Sequence, residues 1–313
     1  MKSIFSELIG QNAVKKRLSF YHEAYQKTGV IPSMLFSGQK GIGKSQFAKS
    51  FSEGLKRNSS KKDFLPINCS SIKSLDFFIE EIYAKQIRGR NISLLLDEAH
   101  CLPDDITYAL LSILDTDNFS NRIRIFSYKG DRLVFDFSQL NIIFATTESN
   151  KVFIPLKDRL TLIDFESYSE IELSQIVIKN ISKVKFSGSA LEKIAQTIRN
   201  NARNAVMRSN EIQLYCNSKN IKTFNEKSFE DFLDKLGILP YGLTNSELQI
   251  LQLLAVKERS LQSISASTGM SRGALQYDHE MFLLQRGLIE IDGKRKITLK
   301  GREILDKIIE NEH

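Results

Sequence analysis

The sequence predicts an α/β fold, with a mostly parallel sheet covered by helices, followed by a helical segment and a small winged helix. Three observations support this prediction. Short apolar runs alternate with helical patterns over the first half of the chain, which is typical of βαβ units. Only the helical period continues from 169 to 235. The last block joins a helix-turn-helix spacing to a hairpin, and together these make a winged helix.

The first half contains one leading helix and five short strand-like runs. Apolar residues recur at helical spacing over 12–28. Strands are predicted at 34–37, 64–68, 93–96, 141–145 and 162–165, with helices at 45–55, 74–86 and 105–114. Two β-prone runs flank Lys129-Gly130-Asp131 and interrupt the pattern. This segment, 122–137, is predicted to be an inserted hairpin.

The second half is predicted to be helical before it ends in the winged helix. Helices are expected at 169–183, 189–199, 203–216 and 225–236, then at 246–255, 261–268 and 271–285. Pro240 and Gly242 mark a hinge between the two sets. A hairpin with strands at 288–291 and 296–299 turns at Asp292-Gly293. We therefore predict three domains, at 1–165, 166–240 and 241–313.

Composition sets limits on the class of protein. The 313 residues suggest about two or three domains. With 42% hydrophobic and 26% charged residues, the chain can bury a core, which excludes a disordered or collagen-like protein. The net charge of +7 permits an anionic partner without requiring one.

The cysteines and the N-terminus indicate the compartment. Cys69, Cys101 and Cys216 are odd in number and far apart, so neither a disulfide framework nor a zinc site is expected. Glu7 and Gln11 lie where a signal peptide would need an apolar core. The longest apolar runs are far short of the roughly 20 residues that a membrane span needs. We expect a soluble, cytoplasmic protein.

A phosphate-binding loop is the strongest motif. Residues 38–45 fit the pattern G-x-x-x-x-G-K-S, after a predicted strand and before a predicted helix. Glycines at this spacing let backbone N–H groups surround phosphate oxygens, and the helix adds its N-terminal dipole. Lys44 supplies a cation to the β- and γ-phosphates, and the Ser45 hydroxyl can hold Mg²⁺. The predicted nucleotide contacts are therefore Gly38, Gly41, Gly43, Lys44 and Ser45.

Two carboxylates follow a second apolar strand. Asp97 and Glu98 come directly after Leu94-Leu95-Leu96. At such a strand end, Asp97 can coordinate Mg²⁺ through water and Glu98 can polarise an attacking water. An ordinary strand end followed by acidic helix-capping residues is the alternative. With the phosphate loop upstream, the pair favours an ATP hydrolase.

Motifs over nearly the whole chain resemble those of the AAA+ ATPases and, within them, the RuvB family of branch-migration motors. Residues 97–100 read D-E-A-H, which is similar to the family's D-E-I-H. Residues 8–11, L-I-G-Q, resemble the motif beside the adenine, which implies a base contact for Ile9. Residues 144–147, F-A-T-T, resemble the sensor strand G-A-T-T, which implies that Thr147 senses the γ-phosphate.

Two arginines receive roles from the same resemblance. Residues 156–159, L-K-D-R, resemble L-R-D-R, which implies that Arg159 is the finger that reaches a neighbouring subunit's site. Residues 201–203, N-A-R, resemble T-P-R, which implies that Arg203 is the second sensor. Both could instead be solvated helix residues.

Two further assignments stay open. Thr146 could take the place of Thr147, because either hydroxyl could face the site. Tyr168 is either a base contact or a core residue.

The chain departs from the family at several positions. Gln39-Lys40 replace the usual Pro-Pro in the phosphate loop, Glu148 stands where the family has arginine, and Lys157 replaces another arginine. The resemblance also implies a RuvA-like protein partner for the hairpin 122–137. That hairpin does not match the family residue by residue.

The winged helix carries local positive charge on a neutral domain. Residues 244–313 contain 10 Lys or Arg and 10 Asp or Glu. Arg272 opens the third helix, while Lys294, Arg295 and Lys296 lie at the wing tip. In this fold these positions usually face nucleic acid, and phosphate contacts there are sequence-independent. The alternative is a solvated charged turn.

The phosphate loop and the two carboxylates predict a hydrolase that uses ATP and Mg²⁺. The resemblance implies an ATP-dependent DNA translocase that works as a homo-oligomeric ring, expected to be a hexamer. The resemblance implies branch migration of Holliday junctions in recombination and repair. Two rivals stay open. One is an AAA+ switch that initiates or loads replication, and the other is a remodeller of protein complexes.

Overall fold

The computed structural model describes residues 4–57, 60–114, 122–199 and 201–311. The chain forms two compact units. The first contains Met1–Tyr168 and Asn201–Arg203, and the second contains Ser169–Asn200 and Asn204–His313. The three predicted domains stay a prediction.

A five-stranded parallel sheet is the centre of the first unit, which confirms the predicted α/β fold. The longer strands of this unit, numbered along the chain, are β1 (Met34–Ser37), β2 (Asp63–Asn68), β3 (Ile92–Asp97), β4 (Ile123–Tyr128), β5 (Asp131–Asp136), β6 (Leu140–Thr146) and β7 (Thr161–Asp164). The sheet order is β2-β3-β6-β1-β7. Every residue of β6 is buried, as expected for a central strand with helices on both faces.

Helices cover the sheet, and all but the last of them, which was not predicted, lie close to where the sequence predicts them. They are α1 (Asn12–Thr28), α2 (Lys44–Gly54), α3 (Leu75–Phe77, continued by a π-helical stretch at Phe78–Ile87), α4 (Asp104–Ile113) and α5 (Ile154–Lys157). One face of α3 and its continuation packs on the sheet through Phe78, Ile82 and Tyr83. A short antiparallel pair, Lys56–Arg57 with Ser60–Lys61, was not predicted. Such two-residue strands are too short to produce a periodic pattern.

Strands β4 and β5 form the predicted hairpin. Lys129 and Gly130 both have positive φ, 49° and 91°, which matches the twist that two-residue hairpin turns require. One face packs on the core through Phe126, Leu133 and Phe135. The other face leaves apolar side chains about half exposed, namely Ile123, Ile125 and Val134.

Four helices open the second unit: α6 (Glu170–Asn180), α7 (Ala190–Thr197), α8 (Ala202–Ser218, whose first two residues belong to the first unit) and α9 (Glu226–Leu236). A capping box of Ser169 and Glu172 starts α6. Aromatic side chains of Tyr215, Phe224 and Phe232 pack edge to face. Among the described residues, no helix is both long and apolar enough to cross a bilayer.

The chain ends in a winged helix, as predicted. Its elements are α10 (Asn245–Val256), α11 (Leu261–Thr268), α12 (Arg272–Ala274, continued by a π-helical stretch at Leu275–Glu280), α13 (Met281–Gln285), β8 (Ile289–Asp292), β9 (Lys294–Ile297) and α14 (Leu299–Asn311). The expectation that the second wing strand reaches Leu299 is wrong, because α14 begins there. The Thr298 hydroxyl accepts a bond from Gly301 N at 3.0 Å and so caps the new helix.

Candidate nucleotide site and wing surface

The phosphate loop joins β1 to α2 at the carboxyl edge of the sheet. Gly41 and Gly43 have φ of 78° and 101°, a conformation that side chains rarely adopt. A Cβ at position 41 would also lie 2.9 Å from Asn201 Oδ1 and 3.1 Å from Arg203 Cβ, so the Asn201 side chain would have to move. The loop therefore has the backbone freedom that a phosphate cradle needs.

Lys44 is buried at the start of α2. Its Nζ donates hydrogen bonds to the carbonyls of Gly38 at 2.7 Å and Gln39 at 3.0 Å. Burial lowers the pKa of Lys44, Asp97 and Glu98 oppose that change, and the charge of Arg203 adds to it. An anion beside Nζ would stabilise the protonated form.

Ser45 and Asp97 meet across the carboxyl edge. The Ser45 hydroxyl donates to Asp97 Oδ2 at 2.8 Å. Asp97 is the last residue of β3 and lies beside Ala145 of β6. Hydroxyl and carboxylate oxygens are the ligands that Mg²⁺ prefers, with water and phosphate completing its coordination. The two residues therefore fit a magnesium ion.

Glu98 adopts an unusual backbone conformation. Its φ of 54° and ψ of 50° are left-handed, which costs a non-glycine residue of the order of 1 kcal/mol. Its backbone N–H donates to Asp97 Oδ1 at 3.0 Å, and its Oε2 accepts from the Thr147 hydroxyl at 3.3 Å. Strain of this kind is concentrated at functional sites.

The two threonines at the end of β6 face different partners. Thr146 is buried, and its Oγ1 lies 2.9 Å from His100 Nδ1 and accepts from Glu148 N at 3.0 Å. Thr147 instead directs its hydroxyl to Glu98. The geometry thus favours Thr147 over Thr146 as the residue that faces the site.

The N-terminal motif is attached to the chain just after β7. Gln11 brackets the backbone of Glu166, since its Nε2 donates to Glu166 O at 2.5 Å and its Oε1 accepts from Glu166 N at 3.1 Å. Ile9 is partly buried in this motif. Tyr168 is buried, and its hydroxyl donates to Ile42 O at 3.1 Å. Tyr168 thus holds the phosphate loop from inside the core, and its contact with a base stays a prediction.

The two candidate arginines lie in different settings. Arg203 N donates to Gly41 O at 3.1 Å, and its side chain is exposed. Arg159 follows α5, and its Nη1 donates to Pro155 O at 2.8 Å. No hydrogen bond or ion pair among the described residues links the Arg159 side chain to Lys44 or Asp97. The finger role assigned to Arg159 requires a second subunit, so one chain alone leaves it a prediction.

Residue-by-residue reasoning gave no role to two side chains beside Glu98. His100 Nδ1 lies 3.5 Å from Glu98 Oε2, and His100 Nε2 lies 3.2 Å from Glu148 Oε2. Glu148 also pairs with Lys151 at 2.9 Å. His100 belongs to the D-E-A-H motif, and that was the only signal for it in the sequence. Glu148 was noted only as a departure from the family.

The wing cations are all paired within the winged helix. Lys294 and Lys296 lie 2.9 and 3.6 Å from Glu258. Arg295 donates two bonds to Glu280, at 2.8 and 3.1 Å, and only 13% of its side chain is exposed. Arg272 is exposed at the start of α12. Arg295 therefore attaches the wing to the third helix, while the other cations face solvent.

Comparison with known proteins gives one consistent set of matches. Residues 240–306 match the family model of the RuvB C-terminal winged helix domain. The Holliday junction branch migration complex subunit RuvB of Sulfurimonas denitrificans is 26% identical, covering 97% of this chain and 90% of its own. Its counterpart from Mycoplasmopsis pulmonis is 28% identical, covering 97% and 96%. The solved structure of the Thermotoga maritima RuvB Holliday junction branch migration motor has a TM-score of 0.74 at 22% identity, covering 96% of both chains. These matches support the predicted fold and the resemblance.

Proposed function

We propose that this chain, which is similar to curated RuvB proteins over nearly its full length, is an ATP-dependent DNA translocase that drives branch migration of Holliday junctions in recombination and repair. The observation that carries the proposal is the cluster of Lys44, Ser45, Asp97 and Glu98 at one edge of the sheet. Each residue type there has a task in phosphoryl transfer.

Each residue of this cluster has a separate role in the proposed hydrolysis of ATP. The backbone of the phosphate loop surrounds the phosphates, and Lys44 exchanges its loop carbonyls for phosphate oxygens. Ser45 and Asp97 would hold Mg²⁺, which supplies positive charge next to the phosphates when it is bound. Glu98 orients and polarises the attacking water, while Thr147 senses the γ-phosphate beside it. Ile9 and Tyr168 stay candidates for contact with the base.

Hydrolysis is proposed to depend on assembly into a ring, expected to be a hexamer. Arg159 would enter the neighbouring subunit's site, where a guanidinium stabilises the charge that develops on the γ-phosphoryl group. Arg203 supports the proposal as a second sensor, because its charge already acts on Lys44. Nucleotide turnover is then linked to contact between subunits.

Duplex or junction DNA is the proposed track. Arg272, Lys294 and Lys296 can contact phosphates on one face of the winged helix, and Arg295 keeps the wing in place for them. Such contacts are independent of sequence and weaken as salt rises, as a translocating motor requires. The apolar outer face of the hairpin is the proposed docking surface for a RuvA-like protein partner.

Steady-state ATP hydrolysis with and without duplex or four-way-junction DNA tests the proposal. We expect DNA to stimulate the rate and either Lys44→Ala or Glu98→Gln to abolish it, with Glu81→Gln on the surface of the first unit as the matched control. An unchanged rate with DNA, together with no DNA binding at low salt, would overturn the motor. Stimulation by DNA without strand displacement in a junction assay would instead indicate an AAA+ switch.

A further inference from the structure

Glu98 belongs to a chain of side chains that continues away from the nucleotide edge. Its Oε2 lies 3.5 Å from His100 Nδ1, and the opposite ring nitrogen, Nε2, lies 3.2 Å from Glu148 Oε2. His100 is mostly buried, with 14% of its side chain exposed, whereas Glu148 is 40% exposed. One imidazole thus connects the residue proposed to polarise water with a carboxylate at the protein surface.

The two contacts of His100 together fix its orientation. An imidazole nitrogen that faces a carboxylate carries a proton and donates it, and both ring nitrogens of His100 face one. Nε2–H is therefore directed at Glu148, and Nδ1–H is directed at Thr146 Oγ1, 2.9 Å away, and at Glu98 Oε2, 3.5 Å away. A carboxylate on the far nitrogen is the arrangement by which outer residues orient a functional histidine. The Glu148 backbone reinforces it, because its N–H donates to the same Thr146 hydroxyl.

Glu148 remains able to accept this bond over a wide pH range. The hydrogen bond from Lys151 lowers the pKa of Glu148, with the charges of Lys151 and His100 adding to the effect. The carboxylate is therefore ionised at neutral pH. Lys151 contacts the same oxygen, Oε2, at 2.9 Å. If Glu148 only stabilised the fold, its ion pair with Lys151 would matter and its contact with His100 would not.

We propose that Glu148 is a positioning residue for hydrolysis, which through His100 keeps the Glu98 carboxylate aligned with the attacking water. This inference rests on the proposed ATPase function. Glu98 lies on a strained, left-handed backbone position, so its side chain depends on neighbours for its orientation. Thr147 supplies one contact, at 3.3 Å, and His100 supplies the other.

The test compares kcat and KM for ATP in four variants of the full chain. Removing a carboxylate that orients a metal-binding histidine typically costs about 10-fold to 100-fold in metal affinity or activity, and we expect a loss at the lower end of that range here. We expect Glu148→Ala to lower kcat about 10-fold with KM unchanged, and His100→Ala to lower it by a similar factor. Glu148→Gln should restore most of the rate, because its amide oxygen still accepts from Nε2–H. Lys151→Met is the matched control, expected to leave kcat within about twofold.

A double variant of His100 and Glu148 shows whether the two residues act together on kcat or each simply disturbs the fold. His100→Ala with Glu148→Ala should be no slower than His100→Ala alone, because Glu148 acts only through the ring. Thermal unfolding and binding of a fluorescent ATP analogue identify variants that fail to fold. A Glu148→Ala protein with wild-type kcat, or losses that multiply in the double variant, would overturn the inference while leaving the proposed function intact. A wild-type chain without ATPase activity would overturn both.

Discussion

The nucleotide edge of the first unit and the wing of the second handle charge in opposite ways. At the nucleotide edge, the described bonds of Lys44 go to backbone carbonyls, and those of Asp97 go to a hydroxyl and a backbone N–H. On the wing, Lys294 and Arg295 are each bonded to a glutamate of the same domain. The first arrangement leaves the charges of the site to be matched by a ligand. The second arrangement shows that basic residues in a motif can stabilise the fold through ion pairs as well as bind a partner.

The wing itself contains both kinds of pair. Arg295 and Glu280 are almost buried, at 13% and 12% exposure, so their bonds hold the wing on the third helix. Lys294 and Glu258 are exposed, and a pair of that kind is typically worth less than about 1 kcal/mol. DNA phosphates could therefore replace Glu258 easily, whereas replacing Glu280 would disturb the domain.

The largest expected effect comes from Arg159, which is proposed to act in the nucleotide site of a neighbouring subunit. Arg159→Ala should lower ATP hydrolysis about 10³-fold, because an arginine supplied in trans stabilises the transition-state charge. ATP binding should be retained, since Arg159 makes no described contact with Lys44 or Asp97. Mixing this variant with Lys44→Ala protein should restore part of the turnover, as each supplies what the other lacks. Unimpaired turnover by Arg159→Ala would remove Arg159 from the finger role.

The next largest expected effect concerns Lys62, a buried lysine of the first unit whose protonation affects the stability of the fold. Lys62 is 1% exposed, donates to Asn91 Oδ1 and Gln139 O, and burial lowers its pKa to about 8. Between pH 8 and 10.5 the unfolded chain binds more protons than the folded chain, so Lys62 makes stability rise with pH there, by about 3 kcal/mol at most. Lys62→Met should remove this rise. Urea unfolding of both proteins across that range measures the difference, and parallel pH profiles would contradict it.

The smallest expected effects distinguish the two ion pairs of the wing, Arg295 with Glu280 and Lys294 with Glu258. Glu280→Gln should lower the stability of the winged helix by about 2 kcal/mol, because it weakens a charged bond to an almost buried arginine. Glu258→Gln should leave stability within about 0.5 kcal/mol and tighten duplex binding a few-fold at low salt, since it frees Lys294 and leaves Lys296 with Asp292 alone. Calorimetric unfolding and DNA titrations measure both. Equal stability of the two variants would show that the Arg295 pair does not hold the wing.

Much of the fold could be predicted because its elements are long and periodic. The helix Asn12–Thr28 and the five sheet strands lie within two residues of the prediction, since each has a continuous apolar face or run. The pair Lys185–Phe186 with Thr223–Phe224 could not be found in this way. Two residues give no period, and their partner lies far along the chain.

The candidate site was predictable to the extent that it follows local motifs. Lys44, Ser45 and Asp97 are fixed by a loop and by a strand end, and parallel strands bring such ends together. The choice between Thr146 and Thr147 could not be predicted, because it depends on which face of β6 contacts His100. The pairing of Arg295 with Glu280 was hidden for a similar reason. Fifteen residues separate the two, and only the folded wing brings them into contact.

The hairpin of β4 and β5 has a consequence for the chain when it is alone in a cell. Ile123, Ile125 and Val134 form an exposed apolar face on a sheet of two strands, and such surfaces favour self-association and aggregation. Lys129 and Arg132 near the turn provide charge that opposes this. The isolated chain is therefore prone to self-association through this face, and a protein that covers the face would keep newly made subunits in solution.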